Sequence, residues 1–134
     1  MKPQAPLRLS LKMVLIGLGL TGVCWWLLDL FSPFPRDTLR WMKLVLMQAH
    51  GALMMAALVV FGALLTQHIL PSLGSREKRI TGCTITGTFT LLAVSGWILY
   101  YIGSEGARDV ASLVHIGAGL VMLTAYIVHA VYRR

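Results

Sequence analysis

The chain has 134 residues, 57% of them hydrophobic and only 13% charged, against about 25% charged in soluble domains. Mean hydropathy is +0.73. The net charge of +7 would suit nucleic acid, but the basic residues stand at the ends of apolar segments rather than along one polar face, so they read as topology signals and nucleic acid is excluded as a partner. The two cysteines, Cys24 and Cys83, belong to no CxxC or CxxCH pattern. They define neither a disulfide framework nor a covalent haem attachment, and both are expected to be buried bystanders.

Four apolar stretches are long enough to cross a bilayer, which takes about 20 residues. The first is expected over about Leu11 to Phe31, where Ser32-Pro33-Phe34-Pro35 stops it, since proline lacks the N–H and fixes φ. It is long and no small-residue cleavage pattern follows it, so it reads as a retained span rather than a signal peptide. The second runs from about Trp41 to Leu70 and is stopped by Pro71-Ser72-Leu73-Gly74-Ser75. The third covers about Ile80 to Ile102. The turn Gly103-Ser104-Glu105-Gly106 then leads into the fourth, about Arg108 to Tyr132. Short connections make successive helices antiparallel neighbours. The expected architecture is therefore all-α, a single integral membrane domain built as a four-helix up-down bundle.

Orientation follows from Lys and Arg. Lys2, Arg8, Lys12, Arg76, Lys78, Arg79, Arg133 and Arg134 fall on one side. Arg36, Arg40, Lys43 and Arg108 fall on the other, offset by Asp29, Asp37, Glu105 and Asp109. The positive-inside rule puts both termini in the cytoplasm. Trp25, Trp26, Trp41, Trp97, Tyr100 and Tyr101 then gather at the outer interface. In a bacterium this would be an inner-membrane protein with its outer side in the periplasm.

The chain has four histidines, His50 and His68 on the second span, His115 and His129 on the fourth. The gaps are 18 and 14 residues. At about 100° per residue the first returns to the same face and the second falls roughly 40° short of it. Each helix therefore projects two imidazoles from one stripe, His50 and His115 in the outer halves and His68 and His129 towards the cytoplasmic ends. In an up-down bundle the second and fourth helices are diagonal partners, and a flat porphyrin between them would take an imidazole from each side. That pairs His50 with His115 on an outer haem b and His68 with His129 on an inner one. Two axial imidazoles leave iron no open position, which favours electron transfer over oxygen binding. The same histidines admit other readings: hydrogen bonding across helices, metal transport or a proton relay. A relay, however, usually also uses intramembrane Asp or Glu, and here only Asp29 lies near a span.

Neighbouring residues carry weaker signals. Gly51, Ala52, Gly62, Ala63, Gly117, Ala118 and Gly119 would let a ring approach the backbone, and would equally serve close helix packing. Haem propionates call for cations. Arg76, Lys78 and Arg79 are placed to serve the inner haem, and Arg108, Arg40 or Lys43 the outer one, although topology already accounts for them. Thr81, Thr84 and Thr88 form a stripe that would face the inner haem or bond back to its own helix.

These residues resemble the di-haem four-helix cytochromes b. The resemblance rests on H-x13-H on the fourth helix, with two further histidines earlier. It also rests on Gly96-Trp97-Ile98-Leu99-Tyr100-Tyr101, Gly103-Ser104-Glu105 and Ser112-Leu113-Val114-His115 within 79–134. That group includes cytochrome b561-like proteins, the haem anchors of bacterial hydrogenases and formate dehydrogenases, and superoxide oxidase. The hydrogenase-type anchors usually place a ligand on their first helix. Here both remaining histidines are on the second, an arrangement closer to the respiratory cytochrome b, with H-x17-H longer than its usual spacing. The resemblance implies a membrane quinone as partner, with Trp41, Arg40 and Arg36 as the residues near the outer haem where it would bind. It also implies either an electron-transfer subunit serving a separate dehydrogenase or cytochrome, or a stand-alone quinone-linked oxidoreductase such as a superoxide oxidase. A haem-free transporter or small structural membrane protein is the remaining alternative.

Overall fold

The computed structural model describes residues 5–31, 33–72 and 76–132, with side chains described except at 5, 68, 72, 76–81 and 129–132. Within these residues only 33–35 and 102–104 are not helical, and there is no strand. Helix α1 spans Ala5–Phe31, α2 Arg36–Leu64, α3 Arg76–Tyr101 and α4 Glu105–Tyr132. Behind α2 follow a π-helical turn, Leu65–Ile69, and a last α-helical turn, Leu70–Ser72. Four stretches, Pro6–Phe31, Arg36–Gln67, Gly82–Tyr101 and Glu105–Val128, are long and apolar enough to cross a membrane.

The helices begin earlier than hydropathy alone suggests, because polar first turns are helical too. Pro35 sits at the N-cap of α2 with φ −54° and ψ 150°, and its carbonyl accepts from the Leu39 N–H at 3.0 Å. Asp37 in the first turn complements the positive end of the helix dipole. The start of α4 repeats this pattern. The Ser104 carbonyl accepts from the Arg108 N–H at 3.0 Å, and Glu105 supplies the acidic first turn. Glu105 and Gly106 are thus the first residues of α4, and the turn before it is only Ile102–Ser104.

The second helix runs through Pro71 to Ser72, its last described residue, within the stretch 71–75 expected to stop it. The helix widens just ahead of Pro71, with the Leu70 N–H bonding the Leu65 carbonyl five residues back. Proline lacks a donor, and its ring crowds the carbonyl four residues before. A π-turn is a common accommodation of such a defect inside a helix. His68 lies within this turn, so the even α-helical count from His50 is broken before it arrives there. Its side chain, like that of His129, lies outside the described residues.

The chain divides into two compact units, Met1–Pro71 and Ser72–Arg134, each built on a helical hairpin. In the first, α1 packs against α2 with Val14, Ala57 and Leu64 buried. Leu53 of α2 lies so close to Gly17 that a Cβ there would stand 2.9 Å from the end of its side chain, which would have to rotate to make room. In the second, α3 packs against α4 around Phe89, Ser95, Ala111, Ala118 and Met122. Ala111, His115, Ala118 and Met122 recur at the 4, 3, 4 spacing of one helical stripe.

Outside these seams the helices are apolar and open. Leu20, Phe31, Trp41, Met55, Val59, Leu113 and Ile127 are all more than half exposed. In water this much contiguous apolar surface would be a liability, whereas in lipid it is the expected exterior. Cys24 and Cys83 are exposed and not buried as their apolar context suggested. The reason is that a helix apolar all round gives no clue to which of its faces meets the partner.

Candidate functional site

Each hairpin holds one of the two described histidine side chains in its seam. On α1, Thr21 follows Val14 and Gly17 on one stripe. On α2, His50 starts the stripe that continues through Leu53 and Ala57. The His50 Nδ1 lies 2.9 Å from Thr21 Oγ1. In the second hairpin the His115 Nδ1 lies 2.9 Å from Ser95 Oγ. Ser95 is 2% exposed and is the buried polar residue among those described.

Both hydroxyls also bond back to their own helix. Thr21 donates towards the Gly17 carbonyl at 2.8 Å and has the Leu18 carbonyl at 3.2 Å. Ser95 donates towards the Leu91 carbonyl at 2.7 Å, with the Leu92 carbonyl at 3.2 Å. Such back-bonding is the ordinary behaviour of hydroxyls in apolar helices. Thr66, Thr90 and Thr124 show it as well, to Gly62, Thr86 and Leu120 at 3.2, 2.9 and 2.8 Å. Thr21 and Ser95 differ in also meeting an imidazole.

The glycine after each hydroxyl completes the setting. A Cβ on Gly22 would stand 3.5 Å from His50 Cε1, and a Cβ on Gly96 would stand 3.3 Å from His115 Cε1. Both rings therefore lie against bare backbone, more tightly in the second hairpin. The small residues singled out beside the ligands behave differently. Nothing lies within 4 Å of a Cβ built at Gly51, Gly62 or Gly117, and at Gly119 only Leu92, at 4.0 Å. Close helix approach does not account for the first three, and the space over them is open.

The hydroxyl–glycine pairs were not singled out from the sequence. A signal was present in the repetition Thr21-Gly22 and Ser95-Gly96, each followed by an aromatic pair, Trp25-Trp26 and Tyr100-Tyr101, near the helix end. Linking each pair to a histidine requires the register of the hairpin. Gly17 meets Leu53, Thr21 meets His50 and Asp29 meets Lys43, so α1 descends as α2 climbs.

The expected propionate partners divide. Lys43 forms an ion pair with Asp29 of α1 and stands 4.4 Å from the centroid of the Trp25 ring. Its charge thus ties the two helices together near the turn of the first hairpin. Arg36, Arg40 and Arg108 are exposed on the first turns of α2 and α4. The side chains of Arg76, Lys78, Arg79 and Thr81 lie outside the described residues. Thr84 is exposed and Thr88 half-buried on α3. Among the described residues no three His, Cys, Asp or Glu side chains gather as a metal site.

Comparison with family models, with curated proteins and with solved structures found no match.

Proposed function

We propose that the chain is a membrane di-haem cytochrome b. In this reading His50 and His115 are the axial ligands of an outer haem b, and His68 and His129 those of an inner one. The observation that carries it is the matched setting of His50 and His115. Two imidazoles from separate hairpins have the same δ-edge partner and the same bare backbone against the ring. A histidine whose Nδ1–H is held by an oxygen acceptor keeps its lone pair on Nε2, the form of a metal ligand. The donor set therefore fits iron porphyrin. The open positions at Gly51 and Gly117, one and two residues beyond these ligands, are surfaces over which a flat ring can lie.

Bound haem would supply one-electron redox chemistry. The chain's own residues would fill both axial positions, exclude water along an apolar helical path and orient the ring. Arg108 stands two turns before His115 and is the cation we assign to the outer propionates, with Arg76 and Arg79 assigned to the inner ones. Lys43 is already paired and is not among them. The helices complete an up-down bundle in the bacterial inner membrane, with both termini cytoplasmic. The connections within the hairpins, 32–35 and 102–104, are four and three residues long, too short for a catalytic domain, so electrons would pass between a membrane quinone and a separate redox partner.

A pyridine haemochrome assay on the purified protein is expected to give two haems b per chain, with a Soret band and a dithionite-reduced α-band. A folded, colourless protein that takes up no haemin would refute the reading. Cysteines placed at the two termini are expected to be labelled only from the cytoplasmic side, and labelling from outside would reverse the topology.

A further inference from the structure

We infer that Thr21 with Gly22, and Ser95 with Gly96, are positioning pairs that present His50 and His115 to iron through Nε2. This rests on the haem reading above and adds four residues to it.

The argument is proton bookkeeping. A hydroxyl has one proton and can accept with its lone pairs, whereas a carbonyl can only accept. The Gly17 and Leu91 carbonyls lie 2.8 and 2.7 Å from the two hydroxyls. If those hydroxyls gave their proton to the imidazoles instead, two acceptors would face each other at that separation. The proton therefore goes to the backbone, and each hydroxyl is left to accept from Nδ1–H at 2.9 Å, with the Leu92 backbone as a further hydrogen-bond partner of His115. Back-bonding also fixes the hydroxyl's own rotamer, so the acceptor is aimed before any ligand arrives.

The glycine acts on the adjoining edge of the ring. Cε1 lies between the two ring nitrogens, and in both hairpins it is the ring atom nearest the glycine. A Cβ at Gly96 would crowd the ring beside its ligating nitrogen at 3.3 Å, whereas at Gly22 a Cβ would reach ordinary contact at 3.5 Å and only a larger side chain would turn the ring. Hydroxyl and glycine together set the tautomer and the ring plane. Outer partners of this kind usually change metal affinity by roughly 10–100-fold when removed.

The test uses the full chain in detergent or nanodiscs, with T21V and S95A to remove the hydroxyls and T21S to keep one. T90V serves as a control, since Thr90 back-bonds in the same way. Haemin titration is expected to show the outer site weakened by roughly 10–100-fold in T21V and S95A, with T21S and T90V close to wild type. The low-spin ferric EPR signal of one haem, and not the other, should shift in the two hydroxyl variants. Nitrogen-15 spectra of histidine-labelled, haem-free protein should show Nδ1–H at His50 and His115 in the wild type, and tautomer mixtures in T21V and S95A. That last readout holds even where a variant binds haem poorly.

Wild-type protein with two haems, together with unchanged affinity and EPR spectra in T21V and S95A, would overturn the positioning role alone. An Nε2–H tautomer in the haem-free wild type would overturn it as well. Wild-type protein that takes up no haem would bring down the electron-transfer reading and the iron-directed part of this one.

Discussion

The two hairpins build the same imidazole setting on different scaffolds. The first is long and sparsely buried, its turn end held by Lys43, Asp29 and Trp25, and its second helix carries a π-turn just ahead of a proline. The second is shorter and buries more of its seam, with Phe89, Ser95, Ala111, Ala118 and Met122 covered. In it Tyr101 stacks obliquely with Trp97 and Tyr100 at 5.8 and 5.6 Å. His50 stands 14 residues into α2 and His115 10 residues into α4, about 21 and 15 Å from the respective helix starts. Length, stapling and burial all differ, yet each imidazole meets a hydroxyl at 2.9 Å and a glycine. Packing needs do not explain a polar arrangement repeated in two apolar hairpins, because an apolar residue would fill either seam at less cost than a half-buried histidine. What the hairpins share is a hydroxyl and a glycine against each ring.

The largest expected effect tests whether the two histidines serve one haem. His50→Ala and His115→Ala should each lower bound haem from two to about one by pyridine haemochrome. The double variant should also retain about one, since both remove a ligand of the same haem. Loss of both haems in the double variant would break the pairing and place the two ligands on different haems.

The next effect probes the tighter glycine. Gly96→Ala would put a Cβ 3.3 Å from His115 Cε1 and Gly22→Ala one 3.5 Å from His50 Cε1. The first is closer than ordinary contact and the second is not. Gly96→Ala should cost about 1–3 kcal/mol, the range for overpacking, and should weaken haem retention. Gly22→Ala should be nearly silent. Thermal unfolding in detergent followed at the Soret band measures both, and equal effects would erase the difference drawn between the hairpins.

Gly17→Ala comes third. Its Cβ would meet a Leu53 side-chain carbon at 2.9 Å, but a leucine terminus can rotate away. A loss of about 1 kcal/mol or less is expected, with haem content unchanged.

The smallest effect concerns the staple. Asp29→Asn should cost at most about 1 kcal/mol, because the pair is largely exposed. The loss should shrink in high salt and leave both haem spectra unaltered. A change in the outer haem's spectrum would show that the turn end of the first hairpin communicates with His50.

Much of the helical layout was legible because membrane helices advertise themselves by length and apolarity. The ends were read less well. Arg36, Asp37 and Glu105 look like loop residues to hydropathy, yet an acidic first turn is good helix chemistry. The stretch 71–75 was read as the stop, and the last described helical residue, Ser72, lies within it, but the helix carries Pro71 by widening the turn before it. The cysteines were misjudged because uniform apolarity hides which face is covered.

The sequence by itself determined four apolar helices, their punctuation, the asymmetry of their basic residues and the placing of four histidines on two of them. These follow from composition and local backbone chemistry, which act within a few residues. Only the tertiary structure decided that Thr21 meets His50 and Ser95 meets His115, across 29 and 20 residues of chain. It also decided that Lys43 is taken by Asp29, and that the ring edges rest on Gly22 and Gly96. Those contacts depend on the register between antiparallel helices, which side-chain packing sets and no local pattern encodes.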